Sequence, residues 1–139
     1  MSVEPEIIGV YETVLYAESV EATAAFYSKL LRLSPLEQAE GLFAGFRIPD
    51  GGTLLIFDPE SSAAPNRSVP SHGTAGPGHV ALAVKEGSLD AFESRLHDSG
   101  VEIERNIRWN EGGRSIYFRD PAGNSVELIE GEAWPASLR

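Results

Sequence analysis

Residues 114–130 read RSIYFRDPAGNSVELIE, and the fold follows from how this stretch is parsed. Residues 115–119 alternate small or polar with apolar side chains, the period of a half-buried strand. Asp120-Pro121-Ala122-Gly123-Asn124 is turn chemistry: proline presets φ, and glycine and asparagine tolerate positive φ. Residues 125–130 alternate again, and Glu127 falls on the face shared by Ser125 and Ile129. The stretch is predicted to be a strand, a tight turn and a strand. A carboxylate within the second strand is either solvent-facing or functional.

The same hairpin occurs earlier in the chain. FRIPDGGTLLIFD (46–58) aligns without gaps on FRDPAGNSVELIE (118–130), with Phe, Arg, Pro and Gly identical. AFYSKL (25–30) repeats as AFESRL (91–96), four identities in six. The offset is 66 in the helix and 72 in the hairpin, so insertions fall in the loops. The chain is a duplication. In the first half, residues 10–16 form a strand, and Ser19 caps a helix over residues 20–31 whose apolar face is Val20, Ala24, Tyr27, Leu30 and Leu31. Residues 42–48 and 53–57 are strands about a turn at 49–52. In the second half, residues 79–84 (HVALAV) form a strand, Ser88 caps a helix closed by Gly100, and residues 101–109 are extended.

Each half therefore reads β-α-β-β-β, an α+β fold. The units are residues 8–58 and 78–130, joined by a Pro/Ser/Gly/Ala-rich connector at 59–77 and followed by a tail at 131–139. Two such units side by side make a curved mixed sheet around a trough, with the helices outside. The trough is the expected ligand site. Val126 and Leu128 are assigned to the helix-facing side, which leaves Ser125, Glu127 and Ile129 on the trough side. By the same logic His79, Ala81 and Ala83 line the trough, as do Glu12, Val14 and Tyr16, then Thr53, Leu55 and Phe57. Gly45, Arg47, Tyr117 and Arg119 complete that face.

Composition bounds the function. The 139 residues carry a formal charge of −10, the wrong sign for nucleic-acid binding. No apolar run approaches the ~20 residues of a membrane helix. The N-terminus, MSVEPEIIGV, is acidic where a signal peptide is basic, so a cytoplasmic location is predicted. The chain contains no cysteine, which excludes disulfides, thiolate metal sites and cysteine nucleophiles.

With AAFYSKLLRL in the first helix, GPGHVALAV opening the second half and YFRDPAGNSVELIE closing it, the chain resembles the vicinal oxygen chelate superfamily over roughly residues 8–130. That group includes glyoxalase I, extradiol dioxygenases, methylmalonyl-CoA epimerase, fosfomycin-resistance enzymes and metal-free bleomycin-binding proteins. The resemblance implies a divalent metal held by residues on the first and last strands of each half. Those positions are Glu12, Leu55, His79 and Glu127 here. Leu55 cannot ligate, so the implied set is Glu12, His79 and Glu127, with Glu12 standing where those relatives have histidine.

Two carboxylates and one imidazole make a hard, anionic set suited to Mn²⁺ or Mg²⁺, with Zn²⁺, Ni²⁺ and Fe²⁺ also compatible. The implied function is Lewis-acid catalysis on a small oxygenated substrate, of isomerase, epimerase, lyase, transferase or ring-cleaving type. The alternative is a metal-free drug-binding protein of the bleomycin-resistance type. The resemblance further implies a homodimer in which Glu12 of one chain meets His79 and Glu127 of the other.

Each residue has a competing structural reading. His79 could be a core histidine, and Glu12 and Glu127 solvated strand residues. Tyr117 is either a hydrogen-bond donor to a substrate oxygen or aromatic filling. His72, in the connector, is an acid/base group closing over the trough or a loop histidine. Arg47, Arg114 and Arg119 are contacts for an anionic substrate or ion-pair partners within an acidic protein. Trp109 and Trp134 cover the ligand or a subunit contact.

Overall fold

A computed structural model describes residues 4–49 and 52–138. Asp50 and Gly51, the middle of the expected turn at 49–52, lie outside the described residues, as do the first three residues of the acidic N-terminus and Arg139.

The first half comprises β1 (Glu12–Tyr16), α1 (Val20–Lys29), β2 (Ser34–Ala39), β3 (Phe43–Arg47) and β4 (Thr53–Phe57). A short helix, α2 (Pro59–Ala63), opens the connector. The second half comprises β5 (His79–Ala83), α3 (Leu89–Asp98), β6 (Arg105–Arg108), β7 (Arg114–Arg119) and β8 (Ser125–Glu130), and a 3₁₀ turn, Ala136–Leu138, follows. The sheet orders are β1-β4-β3-β2 and β5-β8-β7-β6. In each, the first and last strands run parallel and the other pairs antiparallel. Both halves thus have the predicted β-α-β-β-β order.

The helices show how local chemistry and tertiary context divide the work. Ser19 caps α1 as expected, its Oγ accepting from the Ala22 amide at 3.3 Å. Ser88 does not cap α3; its backbone is already helical and its side chain makes no capping bond. Glu130 Oε1 accepts the Leu89 amide at 2.9 Å instead. A carboxylate at a helix start also meets the positive end of the helix dipole, which favours this replacement. The connector is more ordered than its composition suggested. Asp58 Oδ1 accepts from the Glu60 and Ser61 amides at 3.0 and 2.9 Å, and Pro59 sits where a helix needs no amide donor.

One core serves both halves. Leu15, Tyr27, Phe46, Leu54 and Ile56 from the first half join Leu96, Ile116, Phe118, Val126 and Leu128 from the second. Burying a side chain of this size stabilises by about 1.5–3 kcal/mol. Helix α1 bridges the units: Phe26 lies 6.0 Å from Phe118, ring centre to ring centre, and Tyr27 bonds Asp120. Arg95 of α3 donates to the Leu30 carbonyl at 2.9 Å.

The eight strands form two separate four-stranded sheets, not one continuous curved sheet. The face bearing Val80, Ile116, Phe118, Val126 and Leu128 feeds the shared core, as predicted. The opposite face of each sheet, bearing Glu12 and Val14 or His79, Ala81 and Glu127, therefore points away from that core.

Candidate metal centre

The register of the second sheet builds the site. His79 lies opposite Ser125 on β8, and Ala81 opposite Glu127. Tyr117 lies opposite Glu127 from the β7 side. Because Ala81 is small, the histidine ring can reach along the face to the carboxylate. His79 Nε2 stands 3.4 Å from Glu127 Oε1.

The loop before His79 is fixed from the turn that follows β7. Asn124 Oδ1 accepts the Gly78 amide at 2.7 Å, and its Nδ2 donates to the Tyr16 carbonyl at 3.1 Å. A Cβ on Gly78 would stand 3.2 Å from the Leu15 side chain, a tight contact, and in ordinary contact with Asn124. The imidazole is then oriented by Ser125, whose carbonyl lies 3.0 Å from His79 Nδ1. A carbonyl oxygen can only accept, so Nδ1 carries the proton in this bond. In that tautomer the neutral ring presents its Nε2 lone pair toward Glu127 Oε1; the Ser125 hydroxyl, 3.2 Å from Nδ1, can serve the other tautomer, in which Nε2–H faces the carboxylate.

Glu127 is 8% exposed, between Val126 and Leu128 on β8. Burying a carboxylate is costly unless it is hydrogen-bonded or charge-paired. Its Oε2 accepts a 2.6 Å bond from Ser115 Oγ, and Ser115 Oγ in turn accepts from Trp109 Nε1 at 2.9 Å. Tyr117 stacks on His79, ring centres 6.3 Å apart and planes 20° from parallel. Burial, and then the adjacent Glu127 carboxylate, push its phenol above the usual tyrosine range.

Glu12 is exposed on β1 of the other sheet, in register with Thr53. Among the described residues no cluster of three or more histidine, aspartate or glutamate side chains is placed to hold a metal. The chain thus brings together two of the three expected ligand residues and leaves Glu12 apart. Leu55 occupies the β4 position, opposite Val14 and Gly45.

His72 is on the first sheet's side as well. It is half-buried, bonds the Tyr16 hydroxyl through Nδ1 at 2.6 Å, and sits edge-on to Phe57 at 4.7 Å. The connector is folded over the end of the face bearing Tyr16 and Phe57, and His72 is not a free loop side chain. Two of the arginines are ion-paired. Arg114 bonds Asp90 and Glu93, and Arg119 grips Glu104 at 2.8 and 3.3 Å. The Trp109 indole reaches inward to Ser115, a role beyond the two weighed for it from the sequence.

Ser115, Ser125 and Asn124 carry roles that the sequence reading did not assign. A signal for Ser115 was present: it shares a face with Tyr117 and lies diagonal to Glu127 in a hairpin whose register the turn dictates.

Residues 9–128 match the model of the Glyoxalase/Bleomycin resistance protein/Dioxygenase superfamily. The chain belongs to this superfamily. The match spans both sheets and includes Glu12, His79 and Glu127. Within the superfamily, the chain is 28% identical to the metallothiol transferase FosB of Bacillus licheniformis over 130 residues, covering 93% of this chain and 79% of that protein. It is 30% identical to FosB of Shouchella clausii over 125 residues, covering 88% and 80% respectively. The structure of lactoylglutathione lyase from Agrobacterium tumefaciens superposes with a TM-score of 0.84 at 34% identity, covering 94% of this chain and 97% of that one. No helix among the described residues is long and apolar enough to cross a membrane.

Proposed function

We propose that this chain is a divalent-metal-dependent enzyme acting on a small oxygenated substrate by lyase- or transferase-type chemistry. The observation that carries the reading is the approach of His79 Nε2 to Glu127 Oε1 at 3.4 Å, with His79 Nδ1 engaged by the Ser125 carbonyl. A neutral imidazole nitrogen and a carboxylate oxygen aimed at one point can hold a cation between them, and this pair suits a first-row divalent ion or Mg²⁺. When bound, the metal supplies Lewis acidity to a substrate oxygen. The names of the relatives, a metallothiol transferase and a lactoylglutathione lyase, support this class of chemistry.

The remaining roles belong to the chain's own groups. Tyr117 donates a hydrogen bond from its phenol to a substrate oxygen on the side of the site where it stacks on His79. The exposed face around His79 admits substrate, and the small side chains of Ala81 and Ala83 leave room on it. Glu12 of a second chain completes the ligand set. Its exposure on a sheet face turned away from the core of its own chain is compatible with this arrangement. His72, whose ring orientation is set by its bond to the Tyr16 hydroxyl, is the candidate acid/base group on the first sheet's side.

Calorimetric titration with Mn²⁺ tests the central point. Wild type binds about one ion per chain, and His79→Ala and Glu127→Ala each lose binding at least tenfold. Unchanged binding in both variants would mean that His79 and Glu127 form only an ion pair, and would overturn the reading.

A further inference from the structure

The geometry points to Trp109 and Ser115 as a positioning relay that decides which oxygen Glu127 offers to the metal. This inference rests on the metal-centre reading above.

Donor counting drives the argument. An indole N–H can only donate, and a serine hydroxyl has one proton. Ser115 Oγ accepts from Trp109 Nε1 at 2.9 Å, so its own proton is directed to Glu127 Oε2 at 2.6 Å. Oε2 is thereby occupied, and Oε1 is the oxygen turned toward His79. Ser115 is completely buried, so no solvent competes for its proton. Without the indole, the hydroxyl would be free to rotate among acceptors. With it, the carboxylate is held in one orientation before any cation arrives.

The indole is itself anchored. The Trp109 amide bonds the Gly113 carbonyl at 2.8 Å, and the Gly112 amide bonds the Trp109 carbonyl at 3.0 Å. The Gly113 amide then bonds the Glu132 carbonyl at 3.0 Å, fastening the β6–β7 turn to the segment after β8. The relay therefore starts from a rigid point. Were a cation held at Glu127 Oε1, the Ser115–Oε2 bond would weaken, and Ser115 Oγ would pass that change to the Trp109 indole proton. Ser115 and Trp109 act through Glu127 and touch neither metal nor substrate.

The test uses the full-length protein, with Mn²⁺ for affinity and diamagnetic Zn²⁺ for ¹H–¹⁵N spectra of the two indole groups. Trp109→Phe identifies the Trp109 resonance by its disappearance and keeps an aromatic ring in place. The Trp109 indole resonance shifts when Zn²⁺ binds wild type and stays still in Ser115→Ala. Ser115→Ala binds Mn²⁺ about tenfold more weakly than wild type, and Trp109→Phe shows a smaller loss in the same direction. Wild-type affinity in Ser115→Ala, or a Trp109 resonance unmoved by bound Zn²⁺ in wild type, overturns the relay while leaving the metal centre intact. If Ser115→Ala does not fold, the wild-type resonance and the Trp109→Phe affinity decide the matter alone. Failure of wild type to bind either ion overturns the metal-centre reading itself, and the relay with it.

Discussion

The hydroxyl of Tyr27 donates to Asp120 Oδ2 at 2.9 Å, joining the middle of α1 to the β7–β8 turn across 93 residues of sequence. Asp120 is buried, and its carboxylate also accepts from the Ala122 and Asn124 amides and from Asn124 Nδ2. Four donors take the place of water around this charge. The same turn holds Asn124, which fixes both the Tyr16 carbonyl and the amide just before His79. A single buried cluster thus sets the relation between the halves and the entry of the site strand.

Tyr27→Phe removes one of those four donors and keeps the ring. A loss of about 1–3 kcal/mol of unfolding free energy is expected, read from denaturant melts near neutral pH. The loss depends on pH with a definite sign. Burial, followed by the Asp120 charge, raises the Tyr27 pKa in the folded chain from its ordinary 10.0. The unfolded chain then releases this proton at lower pH than the folded chain does. Tyr27's contribution is fully present below about pH 10 and falls as pH rises beyond it. The gap between wild type and Tyr27→Phe should therefore narrow above pH 10. A constant gap would show that the hydroxyl's proton is not held by the fold.

Glu130→Ala leaves the Leu89 amide at the start of α3 without its carboxylate acceptor. The expected cost is about 1 kcal/mol, the usual value of a helix N-cap. Ser88→Ala, by contrast, should be near neutral, because the Ser88 side chain makes no capping bond. Equal losses in the two variants, measured by thermal melts, would contradict the assignment of the cap to β8.

Much of this architecture was legible in the sequence because the repeat and the two-residue period are local signals. The assignment of Val126 and Leu128 to the core and of Glu127 to the other face needed only alternation and the aligned copy. Strand β2 was not legible: SPLEQA is almost wholly exposed, contains a proline, and is irregular between Pro35 and Glu37, so no apolar face announces it. Helix α2 was hidden in a low-complexity stretch, although Asp58-Pro59 is itself a helix-start pair. The capping of α3 could not be read, since Ser88 has the right chemistry and the winning acceptor lies 41 residues away. At the site, the pairing of His79 with Glu127 follows from strand faces. The Trp109–Ser115 link depends on how the β6–β7 turn closes, which no periodicity encodes.

That turn has its own prediction. A Cβ on Gly113 would stand 2.5–2.8 Å from three backbone atoms of Glu132, and backbone cannot rotate away as a side chain tip can. Gly113→Ala should therefore force the segment after β8 off the turn and cost about 1–3 kcal/mol, as overpacking does. Gly123, whose φ is +88° with open space around it, offers the contrast: Gly123→Ala is strained by its backbone alone, without a clash. Denaturant melts combined with tryptophan fluorescence separate the two, with Trp109 and Trp134 both close in sequence to the disturbed segment. Only Gly113→Ala should change the emission of the folded protein.

The separation of Glu12 from His79 and Glu127 makes the shared-site reading testable by mixing chains. Glu12→Ala and His79→Ala each damage every site in their own homodimers, so each alone binds Mn²⁺ weakly. Suppose each site takes Glu12 from one chain and His79 with Glu127 from the other. A mixed dimer then has one site with all three residues and one site with neither Glu12 nor His79. Random reassortment of equal amounts makes half of the dimers mixed, and about a quarter of all sites intact. Mn²⁺ titration after denaturation and co-refolding of the two variants should recover that fraction at wild-type affinity. If Glu12 instead served the site of its own chain, every site in the mixture would retain one defect and nothing would be recovered. The same outcome would follow if the chain did not dimerise, and sedimentation of the refolded mixture distinguishes the two cases.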